Sequence, residues 1–273
     1  MAVILALFGD PVMHSLSPRI HTAFANQFSL DVDYQRILTF KGELAKTLAI
    51  FKKAEGLGGN ITVPIKKEAY TLCQIHSSHA SHAGAVNTFW WEDDKLHGDN
   101  TDGRGFLNYI HKHLSEDITN KRILMLGAGG AASALAAMFS EQPIQELSII
   151  NRHIESAELL AEMSDKFKAF GYDQFNNQKQ IQQYDWVINA TSCSLQNKVP
   201  KLNEKWIRDS VAIDLSYCGG EPTAFMNWAK RRGAIKVDDG LGMLVEQAAL
   251  SFAIWFNKKP ETPPILSNLR SRE

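Results

Sequence analysis

Residues 123–132 read Ile-Leu-Met-Leu-Gly-Ala-Gly-Gly-Ala-Ala, and this stretch decides the fold class. Four apolar residues without helical spacing predict a buried strand, and the glycines after them predict a tight turn into a helix. Gly127 permits the turn, while Gly129 and Gly130 let the backbone approach a phosphate. Ala132 stands where the helix meets the strand. This order indicates a Rossmann domain whose helix N-terminus binds a dinucleotide pyrophosphate. The predicted contacts are Gly127, Ala128, Gly129, Gly130, Ala131 and Ala132.

The residues after the next predicted strand, 147–150, distinguish between the two nicotinamide cofactors. NAD enzymes usually place Asp or Glu at this point, where the carboxylate accepts hydrogen bonds from the ribose 2′-hydroxyl. This chain has Asn151, Arg152 and His153 instead. A guanidinium attracts a 2′-phosphate, so the sequence favours NADP.

Short apolar runs alternate with helical patterns on both sides of the glycine loop. The alternation predicts an α/β fold of parallel sheets covered by helices. Strands are predicted at 3–8, 123–126, 147–150, 186–188 and 211–215, and helices at 19–28, 43–53, 106–114, 132–139 and 156–170. We expect two domains: an N-terminal substrate domain, 1–101, completed by a returning C-terminal segment, 241–273, and a Rossmann domain, 102–240.

Composition narrows the classes of partner. The 273 residues are 44% apolar and 22% charged, which is typical of a globular protein. A net charge of −1 offers no field that would attract nucleic acid or an anionic membrane. The three cysteines have no metal-ligand spacing, so neither a zinc site nor a disulfide is expected. These features, with no apolar run long enough to span a bilayer, predict a cytoplasmic protein with small-molecule partners.

Two serines stand one residue apart before the first predicted helix, in His14-Ser-Leu-Ser-Pro18. Ser17 alone would be explained as a helix cap, but Ser15 would not. Two hydroxyls beside a helix N-terminus can together hold a carboxylate.

A lysine and an aspartate in separate polar segments form a candidate acid–base pair. Lys66 follows a strand and a proline, in the first turn of a predicted helix, where a cation opposes the helix dipole. Asp102 lies within a glycine-rich segment, Gly98-Asp-Asn-Thr-Asp-Gly-Arg-Gly105. Taken singly, they would be a surface lysine and a helix cap. Side by side, the carboxylate would orient an ammonium that exchanges a proton with a substrate hydroxyl.

These segments together resemble the shikimate dehydrogenase family over essentially the whole chain. The motifs that carry the resemblance are Phe8-Gly-Asp-Pro-Val-Met-His-Ser-Leu-Ser-Pro, Asn60-Ile-Thr-Val-Pro-Ile-Lys66, Gly84-Ala-Val-Asn-Thr, Gly98-Asp-Asn-Thr-Asp-Gly, Gly127-Ala-Gly-Gly-Ala-Ala, Asn151-Arg152, Asn189-Ala-Thr-Ser192 and Gly240-Leu-Gly-Met-Leu-Val-Glu-Gln247-Ala-Ala. The resemblance implies reversible reduction of 3-dehydroshikimate to shikimate with NADPH, in aromatic amino-acid biosynthesis, by a monomer or homodimer that needs no metal.

The resemblance also implies a role for each matching residue. Ser15 and Ser17 would hold the substrate carboxylate, and Lys66 would be the acid–base residue. The ring hydroxyls would be bound by Asn60, Thr62, Asn87, Asp102 and Gln247, with Tyr217 near the substrate. Along the cofactor would lie Thr191, Leu215, Gly240 and Met243, although Leu215 and Met243 are equally well explained as core residues.

Three departures from the family pattern concern loops. The family often has Thr and a further basic residue after Asn-Arg, where this chain has His153 and Ser156. Ser194 stands where glycine is common, and Pro222-Thr223 reverses a usual order. Two alternatives stay open: an NAD-dependent quinate/shikimate dehydrogenase, and a module that senses a metabolite without catalysis. An intact Lys66 and Asp102 argue against the second.

Overall fold

The computed structural model describes residues 2–179 and 182–271, which form two compact α/β units. The first unit contains the residues up to Tyr109 together with Leu244–Asn268. The second contains Ile110–Met243 and the residues from Leu269 onward. The α/β class with two domains and a returning C-terminal segment is therefore confirmed. The domain ranges 1–101 plus 241–273 and 102–240 stay predictions, and their residues 1, 180, 181, 272 and 273 lie outside the described ones.

The first unit is built on a six-stranded mixed sheet in the order β2-β1-β3-β5-β6-β4. Its strands are Val3–Gly9 (β1), Val32–Leu38 (β2), Gly56–Ile61 (β3), Ile75–His76 (β4), Thr88–Glu92 (β5) and Lys95–Asp99 (β6). The helices in the N-terminal part of this unit are Ser17–Gln27 (α1), Leu44–Lys53 (α2), Lys66–Leu72 (α3), Ser78–Ala83 (α4) and Asp102–Tyr109 (α5). The core has Phe8 at its centre, in edge-on contact with Phe51 and Phe89.

The expectation of a wholly parallel sheet is wrong for the first unit. Strand β5 runs antiparallel to both β3 and β6. The cause is the turn between β5 and β6, where Asp93 and Asp94 both have positive φ, at 48° and 60°. A two-residue turn with this geometry joins antiparallel strands, whereas parallel strands need a long crossover.

The second unit is a wholly parallel six-stranded sheet in the order β12-β11-β10-β7-β8-β9. Its strands are Arg122–Leu126 (β7), Glu146–Asn151 (β8), Phe167–Gly171 (β9), Trp186–Asn189 (β10), Val211–Asp214 (β11) and Lys236–Asp238 (β12). Its helices are Gly130–Ser140 (α6), Ile154–Ala161 (α7), Tyr172–Asn176 (α8) and Ala224–Arg231 (α9). Counted along the unit, this is the Rossmann order, which confirms the fold predicted from the glycine loop.

Two predicted elements of the second unit need correction. The helix predicted at 156–170 ends at Ala161, and Phe167–Gly171 forms a strand instead. Phe167 and its neighbours pair in parallel with β8, so sheet pairing overrides the apparent helical spacing. The strand predicted at 211–215 ends at Asp214. The helix predicted at 106–114 is the end of α5, followed by a π-helical turn at Ile110–Leu114.

Two helices complete the chain. The helix predicted from about Leu241 is confirmed as Leu241–Phe256 (α10), and Pro263–Arg270 (α11) follows it. Most of α10 belongs to the first unit, where it carries Gln247. Among the described residues, the helices are too short or too polar to span a lipid bilayer.

Candidate active site

Lys66 and Asp102 meet at the start of two helices of the first unit. Lys66 begins α3, Asp102 begins α5, and Lys66 Nζ lies 2.5 Å from Asp102 Oδ2. Their side chains are only 12% and 6% exposed, so the ion pair is largely shielded from water. Asp102 Oδ1 accepts a second hydrogen bond from Asn87 Nδ2 at 2.8 Å. The carboxylate is thus held on both sides and fixes the direction of the ammonium, as the acid–base hypothesis requires.

The turn that leads into Asp102 is held by residues that the sequence did not single out. Asp99 accepts hydrogen bonds from the Asn100 backbone N–H at 2.7 Å, from the Ser77 hydroxyl and from the Arg104 guanidinium. Arg104 lies two residues after Asp102, so the Asp99–Arg104 pair spans the turn. Charge-assisted bonds of this kind hold a loop firmly, and here they fix where α5 begins.

Asn60, Asn87 and Gln247 bring three amide side chains to the same region of the first unit. Asn87 Nδ2 lies 3.1 Å from Gln247 Oε1. Asn60 Nδ2 donates to the Asn87 backbone carbonyl at 3.1 Å. The three residues are at most 8% exposed. Buried amides with fixed partners present defined donors and acceptors, which suits recognition of several hydroxyls on one small ring.

Thr62 lies between β3 and α3, pressed against Gly9. A β-carbon on Gly9 would approach Thr62 Cγ2 to 2.4 Å, and Gly9 has a φ of 153°. Only glycine allows Thr62 this position. The Thr62 backbone N–H donates to the Phe8 carbonyl at 2.8 Å, which ties the threonine to the end of β1.

Ser15 and Ser17 form a small hydroxyl cluster at the start of α1. Ser15 Oγ lies 3.1 Å from Ser17 Oγ and accepts from the Ser17 backbone N–H at 3.2 Å. Ser17 makes no capping bond, and Leu16 holds the cap position, so the reading of Ser17 as a helix cap is wrong. Arg36, which the sequence did not indicate, donates to the Ser15 carbonyl through Nε and Nη2. The guanidinium steadies the serine loop and adds positive charge beside it.

His21 lies in the core behind these polar groups. Its ring stacks on Tyr34 at 4.4 Å between centroids and 7° between planes. The Tyr34 hydroxyl donates to Asn60 Oδ1 at 2.7 Å. His21 is fully buried and neither ring nitrogen has a hydrogen-bond partner. Burial lowers the pKa of His21 from 6.5 to about 3; the Asn60 side chain opposes this shift but lies outside hydrogen-bonding geometry with the ring.

We expect His21 to make the protein acid-sensitive. An unfolded histidine binds a proton below about pH 6.5, whereas folded His21 stays neutral to about pH 3. Stability is therefore lost as the pH falls through this window, by up to about 1.4 kcal/mol per pH unit. His21→Phe keeps the stacked ring and removes the titration. Urea unfolding at neutral pH and near pH 4 should show a smaller loss for the variant; equal losses would mean that His21 does not cause the sensitivity.

The glycine loop of the second unit has the geometry of a phosphate-binding turn. Gly127 has a φ of 105°, and its position would place a β-carbon 3.0 Å from the Ala190 carbonyl oxygen. Gly129 is the N-cap of α6, and nothing lies within 4 Å of where its β-carbon would stand. Gly130 begins the helix, with Ala128 and Ala131 half-buried and Ala132 buried. The open helix N-terminus fits a pyrophosphate.

The residues predicted along the rest of the cofactor follow the strands of the same sheet. Asn151 ends β8, and Asn151 Nδ2 donates to the His153 carbonyl at 3.0 Å, while Arg152 and His153 are exposed. Thr191 follows β10, and both its backbone N–H and its hydroxyl donate to Asn189 Oδ1. This set fits a dinucleotide because all of it lies at the carboxyl ends of parallel strands.

Gly240, Leu215 and Met243 belong to the second unit as well. A β-carbon on Gly240 would lie 2.0 Å from the Leu215 carbonyl oxygen, so only glycine is possible there. Met243 is 7% exposed, in the first turn of α10. Tyr217, half-buried in the loop after β11, lies in the second unit, and its predicted proximity to the substrate stays a prediction.

Asp214 organises the loops around these residues, and it was missed from the sequence because it lies within the apolar run 211–215. It accepts from Asn189 Nδ2 at 3.1 Å, from the Ser194 hydroxyl at 2.5 Å and from the Thr223 hydroxyl at 2.6 Å. Burial raises the pKa of Asp214, although these donors oppose the shift. Ser194 and Thr223 are two of the departures from the family pattern, and both serve to bind this carboxylate. An acidic residue at the carboxyl end of a parallel strand was the signal that could have revealed it.

Family models match three segments of the chain. Residues 7–89 match "Shikimate dehydrogenase substrate binding domain", residues 109–217 match "Shikimate / quinate 5-dehydrogenase", and residues 240–269 match "Shikimate 5'-dehydrogenase C-terminal domain". A protein of Alcanivorax borkumensis named "Shikimate dehydrogenase (NADP(+))" is 43% identical to this chain, over 98% of this chain's length and 96% of its own length.

Solved structures agree with these matches. An Ael1 enzyme from Pseudomonas putida superposes with a TM-score of 0.88 at 33% identity, covering 99% of both chains. Shikimate 5-dehydrogenase from Thermus thermophilus, solved in complex with NADP(H) and shikimate, superposes with a TM-score of 0.84 at 31% identity, covering 98% of both chains.

Proposed function

The chain belongs to the shikimate dehydrogenase family, and on that premise we propose that it interconverts 3-dehydroshikimate and shikimate with NADP(H). The observation that carries the proposal is the 2.5 Å contact between Lys66 Nζ and Asp102 Oδ2. A module that only senses a metabolite needs no proton-transfer pair. The reaction is an oxidoreductase step of aromatic amino-acid biosynthesis.

In this proposal the first unit binds and orients the substrate. The Ser15 and Ser17 hydroxyls hold its carboxylate. The ring hydroxyls contact Asn60, Thr62, Asn87, Asp102 and Gln247, with Tyr217 near the substrate. The amide network supports this assignment because its buried groups already have fixed orientations, so little ordering remains to be done when substrate binds.

Lys66 moves the proton in this mechanism. In the direction of reduction, the Lys66 ammonium donates a proton to the carbonyl oxygen of 3-dehydroshikimate as that oxygen becomes a hydroxyl. The neutral amine left behind takes a proton back in the reverse direction. Asp102 orients Lys66 through one carboxylate oxygen, while its other oxygen is held by Asn87.

NADPH, when bound, supplies the hydride that reduces the carbonyl carbon. The residues that would hold it are the glycine loop of 127–132, with Asn151, Arg152 and His153 at the adenosine end and Thr191, Leu215, Gly240 and Met243 along its length. The exposed guanidinium of Arg152 supports NADP because a 2′-phosphate needs a cation there. We place the enzyme in the cytoplasm, as a monomer or homodimer.

The proposal is tested by turnover with shikimate and quinate, each with NADP⁺ and NAD⁺. We expect shikimate with NADP⁺ to have the highest kcat/KM of the four combinations. The family model that covers 109–217 includes quinate in its description, so quinate is the substrate to compare. Preference for quinate with NAD⁺ would support an NAD-dependent quinate/shikimate dehydrogenase. No turnover with any of the four combinations would support a module that senses a metabolite without catalysis.

Ser15→Ala is expected to weaken the binding of shikimate more than the binding of NADP⁺. It removes one charge-assisted hydrogen bond to the substrate carboxylate, worth roughly 1.5–3 kcal/mol, which corresponds to a KM about ten- to a hundredfold higher. Steady-state kinetics with each substrate varied in turn measures the effect, and Ser78→Ala, on α4, is a serine control. If the KM for NADP⁺ rose while that for shikimate stayed unchanged, the serines would have been assigned to the wrong ligand.

A further inference from the structure

Ser251 lies on α10, one helical turn after Gln247, and is completely buried. Its hydroxyl donates to the Gln247 carbonyl at 3.1 Å. It accepts from Asn60 Nδ2 at 3.0 Å and lies 2.7 Å from the Thr88 hydroxyl. A small hydroxyl therefore joins α10 to two strands, at the point where β3 ends and β5 begins. No role described above uses this residue.

The contacts of Asn60 settle which way its amide faces. The Asn87 backbone carbonyl can only accept, so the atom 3.1 Å from it must be the Asn60 amino group. Thr88 Oγ1 and Ser251 Oγ lie 3.1 and 3.0 Å from the same nitrogen. Both amino hydrogens are therefore directed into the protein. Asn60 Oδ1 accepts from Tyr34, and an amide oxygen has the capacity to accept a second hydrogen bond.

We propose that Ser251 is a positioning residue for substrate binding: it holds the Asn60 amino group inside the protein, so that Asn60 meets the substrate only as a hydrogen-bond acceptor. The inference rests on the proposed function. It adds a specificity rule, because the substrate group at Asn60 must then be a donor, such as a ring hydroxyl. A carbonyl or an ether oxygen at that position would face a lone pair without a hydrogen.

Ser251→Ala removes this acceptor with little risk to the fold. Alanine is the best helix former and leaves no large cavity. After the change the Asn60 amino group keeps two acceptors, the Asn87 carbonyl and the Thr88 hydroxyl. The Thr88 hydroxyl has itself lost its contact with Ser251. The amide is then less firmly held. We expect the KM for shikimate to rise about five- to tenfold, with kcat and the KM for NADP⁺ changed less than about twofold.

A double-mutant cycle separates positioning from a general structural effect. If Ser251 acts through Asn60, Ser251→Ala should change the KM for shikimate less than about twofold in an Asn60→Ala background. The matched control is Ser210→Ala, which removes an equally buried hydroxyl from the second unit. We expect it to leave the KM for shikimate unchanged. The same rise in KM in both backgrounds would overturn the proposal.

A second measurement does not depend on turnover. Solvent exchange of the Asn60 side-chain amide hydrogens, followed by NMR in the ligand-free protein, should be slow in wild type and in Ser210→Ala and at least about tenfold faster in Ser251→Ala. Unchanged exchange in Ser251→Ala would refute the positioning role. A wild type that protects these hydrogens but does not oxidise shikimate would refute the proposed function instead.

Discussion

Lys66→Ala lowers kcat for shikimate oxidation by about 10²–10⁴-fold, the range typical of general acid–base catalysis, with a smaller effect on KM. The reason is geometric. Asp102 orients Lys66 at 2.5 Å. In shikimate oxidation the neutral amine of Lys66 takes the proton of the substrate hydroxyl, and water would have to replace it as the proton acceptor. Steady-state kinetics at saturating NADP⁺ measures the change.

The next residue supplies the control for this variant. Lys67 is also a lysine of the first turn of α3, but it is exposed. Lys67→Ala should keep a kcat close to that of wild type. Because Lys66→Ala also leaves the Asp102 carboxylate without its cation, urea unfolding of the variant must show that it is folded. A folded Lys66→Ala protein with wild-type kcat would remove Lys66 from the mechanism.

Arg152→Ala lowers kcat/KM for NADP⁺ about ten- to a hundredfold and leaves kcat/KM for NAD⁺ little changed. The guanidinium follows β8, where it can pair with the 2′-phosphate and stack near the adenine. Ser156, four residues further on, is uncharged, so it cannot compensate for the loss. His153 adds positive charge only when protonated, so both cofactors should be compared on either side of the histidine range.

A second exposed arginine makes the Arg152 experiment specific. Arg208 lies in the same unit but precedes β11, so it stands at the amino ends of the parallel strands, whereas Arg152 stands at their carboxyl ends. Arg208→Ala should leave the ratio of kcat/KM for NADP⁺ to kcat/KM for NAD⁺ unchanged. Equal losses for NADP⁺ and NAD⁺ in Arg152→Ala would show that Arg152 supports the fold rather than the 2′-phosphate.

The parts of the fold that the sequence predicted are those set by local pattern. The run before Gly127 is apolar on both faces because β7 is covered on both, and the glycines follow from the turn they make. The hairpin at Asp93 and Asp94 was missed because positive φ at two aspartates leaves no apolar signal. Strand β9 was missed because its spacing also fits a helix, and only its pairing with β8 decides between them.

The candidate site divides in the same way. Lys66 and Asp102 were paired from the sequence because a carboxylate beside an ammonium makes an acid–base pair, and the structure places them in contact. The residues that hold segments of the two units in place were not foreseen. Asp214 is hidden within an apolar run, and Ser251 looks like one more small residue of a buried helix. Their contacts join segments far apart in the chain, such as Asn60 with Ser251, and no local pattern encodes that proximity.

The central claim is that this chain oxidises shikimate with NADP⁺, and one assay tests it directly. The purified wild-type protein is mixed with shikimate and NADP⁺, and NADPH is followed by its absorbance while shikimate is measured separately. We expect NADPH to form in equal amount to the shikimate consumed, and to form more slowly when NAD⁺ replaces NADP⁺. A folded protein that forms no reduced cofactor from shikimate, or that reduces NAD⁺ in preference to NADP⁺, would contradict the claim.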